Sequence, residues 1–298
     1  MGTMLFKSFE EKFKPILGEE FPKLVEYLSK GPRKCIRVNT LKTNAKELKE
    51  RLEKGGWKLE EVPWYKNAFF VEAEEISKTL EYFLGYYFIQ DASSLIPPLV
   101  LNPSPTDSVL DLCAAPGSKT TFMAELMQNK GLIVAIDIDT KRLKALAFNL
   151  QKIGITNTIV FRHDGRKALN MEFDKILVDA PCTGTGTTNL CFWSKKVIER
   201  LSRLQKSLLE SASKMLREDG SIVYSTCSID PEENEAVIDY AINQLNLKVE
   251  KVHLAGLKYR EGLTKYAGMS FAEEVKDCIR IYPFDNQTEG FFVCKLKK

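Results

Sequence analysis

The sequence is short of several things, and each absence narrows the reading. It holds seven cysteines, an odd number, and no CxxC pair. That speaks against a disulfide framework and against a zinc knuckle. Free thiols in a reduced, cytoplasmic setting are the expectation. Long apolar runs are missing too. The longest stretch, in SSLIPPLVL (93–101), is short and broken by Pro97 and Pro98, so no membrane span is expected. No secretory leader is expected, and Phe6 stands where a myristoylation site at Gly2 needs Ser or Thr. Repeats and low-complexity tracts are absent. Charge of one sign is scarce: 43 Lys+Arg against 40 Asp+Glu leave +3. A polyanion partner is permitted by that balance but not demanded by it.

What is present is an ordinary globular composition, 298 residues and 44% hydrophobic, enough for one large domain and a smaller one. Residues 1–85 read as a small α+β module. FEEKFKPILGEEFPKLVEYLSK has helical spacing with a prolyl interruption, and KCIRVNTLK alternates like a strand. TNAKELKERLEKGG starts at Asn44, a fair N-cap, and stops at a glycine pair. WKLEEVPWY and AFFVE read as two further strands. Residues 86–298 form the second domain, where strands alternate with full helices. SVLDLC, LIVAIDID, TIVFRHD, FDKILVDA and SIVYSTCS read as strands, and a long helix over 196–219 closes at Gly220. That rhythm predicts an α/β fold with a doubly wound, mostly parallel sheet. The last two strands, in LKVEKV and GFFVCKLKK, lack a crossover helix between them and read as an antiparallel edge pair.

In such a sheet, ligands sit at the carboxyl ends of the strands. The first strand-to-helix turn is DLCAAPGSKTT (111–121). A phosphate-binding P-loop would need glycine where Cys113 and Ser118 stand, and a dinucleotide fingerprint needs three glycines where only Gly117 is present. An acid, small residues and one glycine suit a nucleoside with an amino-acid tail, S-adenosylmethionine. Asp137, ending the next strand, is placed for ribose hydroxyls, and Asp164 for the adenine edge.

Asp179 closes the fourth strand and is followed by APCTGTG; Cys182 is three residues on. Cys227 ends the neighbouring strand in STCS. Two strands thus aim thiols at one crevice. Carbon 5 of a pyrimidine is a poor nucleophile, but addition of a thiolate at carbon 6 makes it enamine-like and able to take a methyl group. The addition needs a deprotonated thiol and an acid near the ring nitrogen and exocyclic amine, for which Asp179 is the candidate. Asp230-Pro231-x-Glu233 reads as a helix start whose dipole acts on Cys227, opposed by the neighbouring glutamates; Lys119 is the better source of positive charge. These arguments leave open which cysteine attacks. Cys35, Cys278 and Cys294 read as small buried hydrophobes, and Cys113 and Cys191 as loop thiols without evident chemistry.

At these residues the chain resembles the Sun family of RNA cytosine-C5 methyltransferases. The matching segments are RVNTLK, YYFIQDASSLIPPLVL, VLDLCAAPGSKTT, DAPCTGTG, YSTCSIDPEENEAVI and EGFFVCKLKK, in family order across nearly the whole chain. Ser118 is similar to the transfer-RNA-modifying branch; Thr183, where Ser is usual, is a minor departure, and no PUA-type domain is evident. The resemblance implies a seven-stranded, Rossmann-like class I methyltransferase sheet. It implies Cys227 as nucleophile and Cys182 as an aid to product release. It implies that Cys113, Ala114, Ala115, Pro116, Gly117, Ser118, Lys119, Asp137, Arg142, Asp164 and Asp179 line the cofactor, with Lys119 and Asp179 beside the base. The implied reaction is transfer of a methyl group from S-adenosylmethionine to cytosine carbon 5 in RNA, with tRNA the first expectation and rRNA the alternative. A uracil-C5 methyltransferase and an idle RNA-binding scaffold are the rival readings. Both thiols and Asp179 argue against the scaffold, and the cytosine amine, able to donate to Asp179, argues against uracil.

A target base must leave its stack to reach a thiol, which favours single-stranded or loop nucleotides. Arg33, Lys34, Arg37 and Lys42 on the small module, with Lys195 and Lys196, are candidate phosphate contacts, and Trp193 a candidate stacking platform. Gly184 and Gly186 are expected to let a base approach the backbone. No metal, membrane or obligate protein partner is expected.

Overall fold

The structure, a computed structural model, describes residues 3–190 and 193–298. The readings of Gly2 and Cys191 fall outside the described residues. The chain opens with α1 (Thr3–Leu17) and α2 (Phe21–Lys30). Pro15 is carried inside α1, and the break comes instead at Gly18, whose φ of +54° a helix does not continue. Pro22 sits in the first turn of α2, where its missing N–H is no loss.

A four-stranded antiparallel sheet follows, built from β1 (Cys35–Val38), β2 (Lys58–Val62), β3 (Tyr65–Glu72) and β4 (Tyr87–Ile89) in the order β2-β3-β1-β4. Between β1 and β2 runs α3 (Ala45–Lys54), capped by Asn44, whose Oδ1 accepts from the Glu47 amide at 3.0 Å. The short α4 (Leu80–Phe83) precedes β4. One face of this sheet packs Ile36, Val38, Phe69 and Tyr87 against Leu48 and Leu52 of α3.

After α5 (Ile96–Leu101) the strand-helix rhythm begins: β5 (Ser108–Asp111), α6 (Ser118–Leu126), β6 (Leu132–Asp137), α7 (Thr140–Ile153), β7 (Thr158–Arg162), β8 (Phe173–Asp179), α8 (Lys195–Lys214), β9 (Leu216–Thr226), α9 (Glu235–Leu245) and β10 (Lys248–Glu250). A small hairpin of β11 (Lys265–Tyr266) and β12 (Met269–Ser270), then β13 (Ile279–Ile281), α10 (Pro283–Asn286) and β14 (Phe291–Lys297), complete it. The main sheet runs β10-β14-β9-β8-β5-β6-β7. Its β7-β6-β5-β8-β9 part is parallel, and β14 lies antiparallel beside β9. The expected seven strands are present in that path. An eighth, β13, also pairs with β14, so that β10 and β13 share its outer edge. The central strands are buried on both faces, as in parallel sheets, whereas the edge strand β7 leaves Ile159 and Phe161 exposed. Leu110, Ile176, Ile222 and Tyr224 meet α8 and α9 on one side, while Val109, Leu177 and Val223 meet α5 and α6 on the other.

Two expected boundaries are corrected. The long helix ends at Lys214 rather than Asp219, because Leu216 is already paired with Phe173 at the start of β9. Gly220 lies within β9, where an added Cβ would come 2.9 Å from the Asp174 carbonyl oxygen. The helix expected to begin at Asp230 is α9, which starts at Glu235; residues 231–234 form a turn, and its N-cap, Asn234, makes no side-chain cap bond.

The small sheet shares a core with the large one. Cys35, Val62, Ala68 and Phe70 join the cluster that holds α5 and α6. Across that contact runs a buried ion pair. Arg37 is fully buried; its Nε and Nη2 reach the two oxygens of Glu125 at 3.2 and 2.9 Å, and further bonds go to the Ser118 carbonyl, Thr121 Oγ1 and Gln90 Oε1. Burial pushes the Glu125 carboxyl up to about 7, against the pull of the guanidinium. Arg37 therefore cannot contact RNA, as the sequence suggested; it bolts β1 to α6. Removing one member of such a pair strands a buried charge. Arg37→Ala is expected to lower the unfolding free energy by about 3–5 kcal/mol in a denaturant titration, and joint replacement of Arg37 by Met and Glu125 by Leu by much less.

Candidate active site

The site forms where β5, β8 and β9 end side by side. Pairing of β8 with β9 sets Asp179 opposite Ser225, whose Oγ donates to Asp179 Oδ1 at 2.8 Å. The chain then leaves both strands into loops that bring Cys182 and Cys227 together, with their sulfurs 3.3 Å apart. Lys119, in the first turn of α6, reaches over β5 and places Nζ 2.7 Å from Asp179 Oδ2. Nζ also lies 5.3 Å from the ring centroid of Phe291. Burial acts to lower the Lys119 pKa, but the Asp179 carboxylate outweighs it and the net shift is upward, so Lys119 is a fixed positive charge. The hydrogen bond to Cys227, then burial, push the Cys182 thiol well above its ordinary value. Cys182 thus rests as a thiol.

Beneath the thiols is a buried polar frame. Glu233 accepts from the Thr183 amide at 3.0 Å, Ser228 Oγ at 2.7 Å, Gln205 Nε2 at 3.0 Å and the Thr183 hydroxyl. It joins the two thiol loops through one carboxylate. Burial, and then the charge of Asp230, raise the Glu233 pKa against those bonds. Asp230 takes Thr185 Oγ1 at 2.8 Å and Trp193 Nε1 at 3.2 Å rather than capping a helix. The expected helix dipole on Cys227 is therefore absent, because α9 begins eight residues after the thiol. Trp193 is buried against Phe9 and Phe13, so its indole is part of the core and not a stacking platform.

The glycines have other duties than the one expected. Gly186 is crossed by the backbone of Gly290: its amide donates to the Cys227 carbonyl at 3.0 Å, its own carbonyl accepts from the Gly290 amide at 2.8 Å, and a Cβ would lie 2.3 Å from the Gly290 oxygen. Gly184 has a φ of +68°, which L side chains rarely adopt.

The 113–118 turn curls over the end of β5. The Ala115 amide donates to Asp137 Oδ2 at 3.3 Å, and Asp139 N to Asp137 Oδ1 at 2.9 Å. Arg142 lies 3.4 Å from Asp137 Oδ2 and donates to the Ala115 carbonyl. Ala114 and Ala115 pack on Leu146, and Gly117 has a φ of +104°, a conformation L side chains rarely adopt, so the turn favours glycine there. Pro116 follows Ala115 through a cis bond, and Ser118 Oγ lies 3.2 Å from Ser94 Oγ. Cys113 is partly buried, and burial followed by Asp111, Asp179 and Asp137 pushes its thiol well up. Asp164 is gripped by Arg166, whose hydrogen bonds hold its carboxyl down at about 2.

Sequence reasoning missed Asp111. Its Oδ2 accepts from Thr120 at 2.7 Å, its Oδ1 is buried without a partner, and burial pushes the carboxyl up to about 7. An orphaned buried acceptor beside the turn fits a ligand ammonium, and S-adenosylmethionine carries one on its amino-acid tail. The only signal in the sequence is that an acid ends β5. Of the remaining cations, Arg33 pairs with Glu60 over the Phe70 ring, Lys34 donates to the Ala73 and Glu74 carbonyls, and Lys42 to those of Leu84 and Lys152. Lys195 and Lys196 stand exposed at the start of α8. Cys35, Cys278 and Cys294 are buried, as expected. Among the described residues no cluster suits a metal ion, and no helix is long and apolar enough to cross a membrane.

Sheet order, the ligand turn at β5 and paired acids at β5 and β6 define a Rossmann-like methyltransferase with two thiols at its catalytic edge. Comparison with known proteins makes this specific. Residues 98–297 match the family described as 16S rRNA methyltransferase RsmB/F, and residues 5–92 the N-terminal domain of 16S rRNA methyltransferase RsmF. The chain belongs to this RsmB/F (Sun) family of RNA cytosine-C5 methyltransferases, which use S-adenosylmethionine. It is 41% identical to the tRNA (cytosine(49)-C(5))-methyltransferase of Pyrococcus abyssi, over 97% of this chain and 99% of that one. It is 38% identical to the human 28S rRNA (cytosine(4447)-C(5))-methyltransferase over 95% of this chain, but spans only 37% of that protein. Against ribosomal RNA small subunit methyltransferase F of Shewanella oneidensis the figures are 38% identity, 89% and 57%. Among solved structures, a methyltransferase homolog from Pyrococcus horikoshii superposes with a TM-score of 0.90 at 39% identity, covering 98% of this chain and 95% of that one. NSun6 from Pyrococcus horikoshii with SFG, an analogue of S-adenosylmethionine, gives 0.86 at 25%, with coverage of 100% and 98%.

The Glu233 frame yields a test independent of activity. Glu233→Ala unpairs the Thr183 amide and Gln205, so it is expected to cost about 1–3 kcal/mol in denaturant and to speed exchange of the Thr183 amide in hydrogen-exchange mass spectrometry. Glu233→Gln keeps part of the frame and is expected to fall between.

Proposed function

We propose that this enzyme methylates carbon 5 of cytosine in tRNA through a covalent adduct between Cys227 and carbon 6 of the base. The observation that carries the reading is the pair of thiols in contact beside the Lys119–Asp179 ion pair. Attack by Cys227, with Cys182 taking the later task of helping remove the carbon-5 proton and release the product, is the division of labour that the likeness to the Sun family implies; the thiolate is the attacking form. Lys119 and Asp179 hold the polar edge of the extruded ring, and Asp179 accepts from the exocyclic amine. Thiolate addition at carbon 6 converts carbon 5 into an enamine-like centre, which splits one hard step into two.

S-Adenosylmethionine, when bound, supplies the electrophilic methyl group for that carbon. The turn from Cys113 to Lys119 would enclose its amino-acid end, with Asp111 Oδ1 taking the ammonium. Asp137 and Arg142 would hold the ribose side and Asp164 the adenine side. Choice of tRNA is supported by the Pyrococcus abyssi relative, which matches this chain over almost the whole length of both, whereas the rRNA-directed relatives extend well beyond it. Arg33, Lys34, Lys195 and Lys196 are the surface cations retained as phosphate contacts.

Incubation with methyl donor and unmodified tRNA, followed by denaturing gels, tests this. Wild type is expected to form 5-methylcytosine, Cys182→Ala to accumulate a covalent RNA–protein adduct, and Cys227→Ala to give neither. An adduct with Cys227→Ala and none with Cys182→Ala would reverse the roles. Methylation of rRNA fragments with none on tRNA would move the substrate.

A further inference from the structure

We propose that Glu289 is a further catalytic residue of the base pocket: it donates a proton to the ring nitrogen N3 of cytosine as Cys227 adds, and takes it back as the product leaves. This rests on the reading given above. The need is chemical. When sulfur bonds to carbon 6, the C5=C6 pair moves through C4 and charge builds on N3; a proton there completes the enamine. Elimination reverses it: carbon 5 loses its proton, the C6–S bond breaks, C5=C6 re-forms, and N3 returns its proton. Asp179 is paired with Lys119 at 2.7 Å and bonded by Ser225, which equips it to accept from the amine but gives it no proton to donate.

Glu289 is placed for the task. Its neighbour Gly290 is clamped to Gly186 in the thiol loop, and Gly186 to Cys227. Its own amide donates to Asp91 Oδ1 at 3.2 Å, which fixes the backbone on the other side. Its carboxyl finds no hydrogen-bond partner among the described residues, although it is half-buried and lies near the charges of Asp91, Lys119 and Asp179. Asp91 N-caps the turn 92–95 through Oδ1, which takes Ser93 N and Oγ, and its Oδ2 is buried without a partner; the buried hydroxyl of Tyr27 on α2 faces the same two acids and is also unpaired. A half-buried acid without a partner, beside a buried carboxylate oxygen and a buried hydroxyl that also lack one, is what a pocket awaiting a polar ring edge looks like. Burial, and then the Asp91 charge, push Glu289 up to about 7 against the opposing pull of Lys119, and burial raises Asp91 too. An acid titrating there gives and recovers a proton with equal ease near neutral pH.

The sign is definite. Glu289 reacts protonated and the attacking cysteine reacts as thiolate, so the rise of the single-turnover rate of tRNA methylation with pH is expected to level off above about 7, where each further gain in thiolate is offset by acid lost. Glu289→Gln keeps shape and polarity but has no proton to transfer. It is expected to be about 100-fold slower at pH 6.5, to lose that flat limb and go on rising with pH, and to bind tRNA and methyl donor within threefold of wild type. In a Cys182→Ala background, Glu289→Gln is expected to slow accumulation of the trapped adduct by a similar factor, which locates the effect before release. Thermal melts of each variant separate chemistry from folding. A Glu289→Gln enzyme with an unchanged pH limb and adduct formation within threefold of the parent overturns the proposal. Absence of 5-methylcytosine from the wild-type reaction overturns the reading on which it rests.

Discussion

Everything at this site depends on one register, the parallel pairing of β8 with β9. Asp179 lies opposite Ser225, so three residues onward on one strand and two on the other the chain delivers Cys182 and Cys227 to the same point. A strand's faces alternate residue by residue, and a slip of one place would turn Asp179 away and part the thiols. The register is held by burial on both faces: Ile176 and Ile222 on one, Leu177 and Val223 on the other, all fully enclosed. The chemistry therefore draws its precision from apolar packing that never meets the substrate.

Around that point the protein accumulates enclosed acids with few bases. Asp111, Asp91, Glu289 and Glu233 all have carboxyls pushed upward by burial, and Lys119 is the cation set among the first three. The arrangement suits a positively charged methyl donor and a base that must be protonated as it reacts. The acids divide by task. Glu233 is saturated with donors and is structural, whereas Asp111 keeps one buried oxygen without a partner and the Glu289 carboxyl accepts no hydrogen bond from the described residues.

The sequence made the scaffold legible because parallel strands read as short apolar runs and their helices carry plain caps, such as Asn44, Asp139 and Gly154. Both thiols, Lys119 and Asp179 were visible for the same reason: each sits a fixed few residues from a strand end. What failed did so where the partner was remote. Arg37 looks like any surface arginine in CIRV until Glu125, 88 residues away, is seen against it. Trp193 reads as a stacking platform until α1 covers it. Gly186 reads as room for a substrate until the chain at Gly290 passes over it. Asp91 and Glu289 lie 198 residues apart, and no local pattern marks them as neighbours.

The crossing at Gly186 has a consequence for how the enzyme comes into being. Every residue proposed to touch the methyl donor precedes position 180, and the second thiol of the pair is at 227, yet the loop between them is pinned by the segment leading into β14, after every other element in chain order. A nascent chain emerging from the ribosome can assemble its donor turn early but cannot set its two sulfurs until residue 290 has been made. Synthesis itself keeps the thiol pair unassembled until the fold around it is nearly complete.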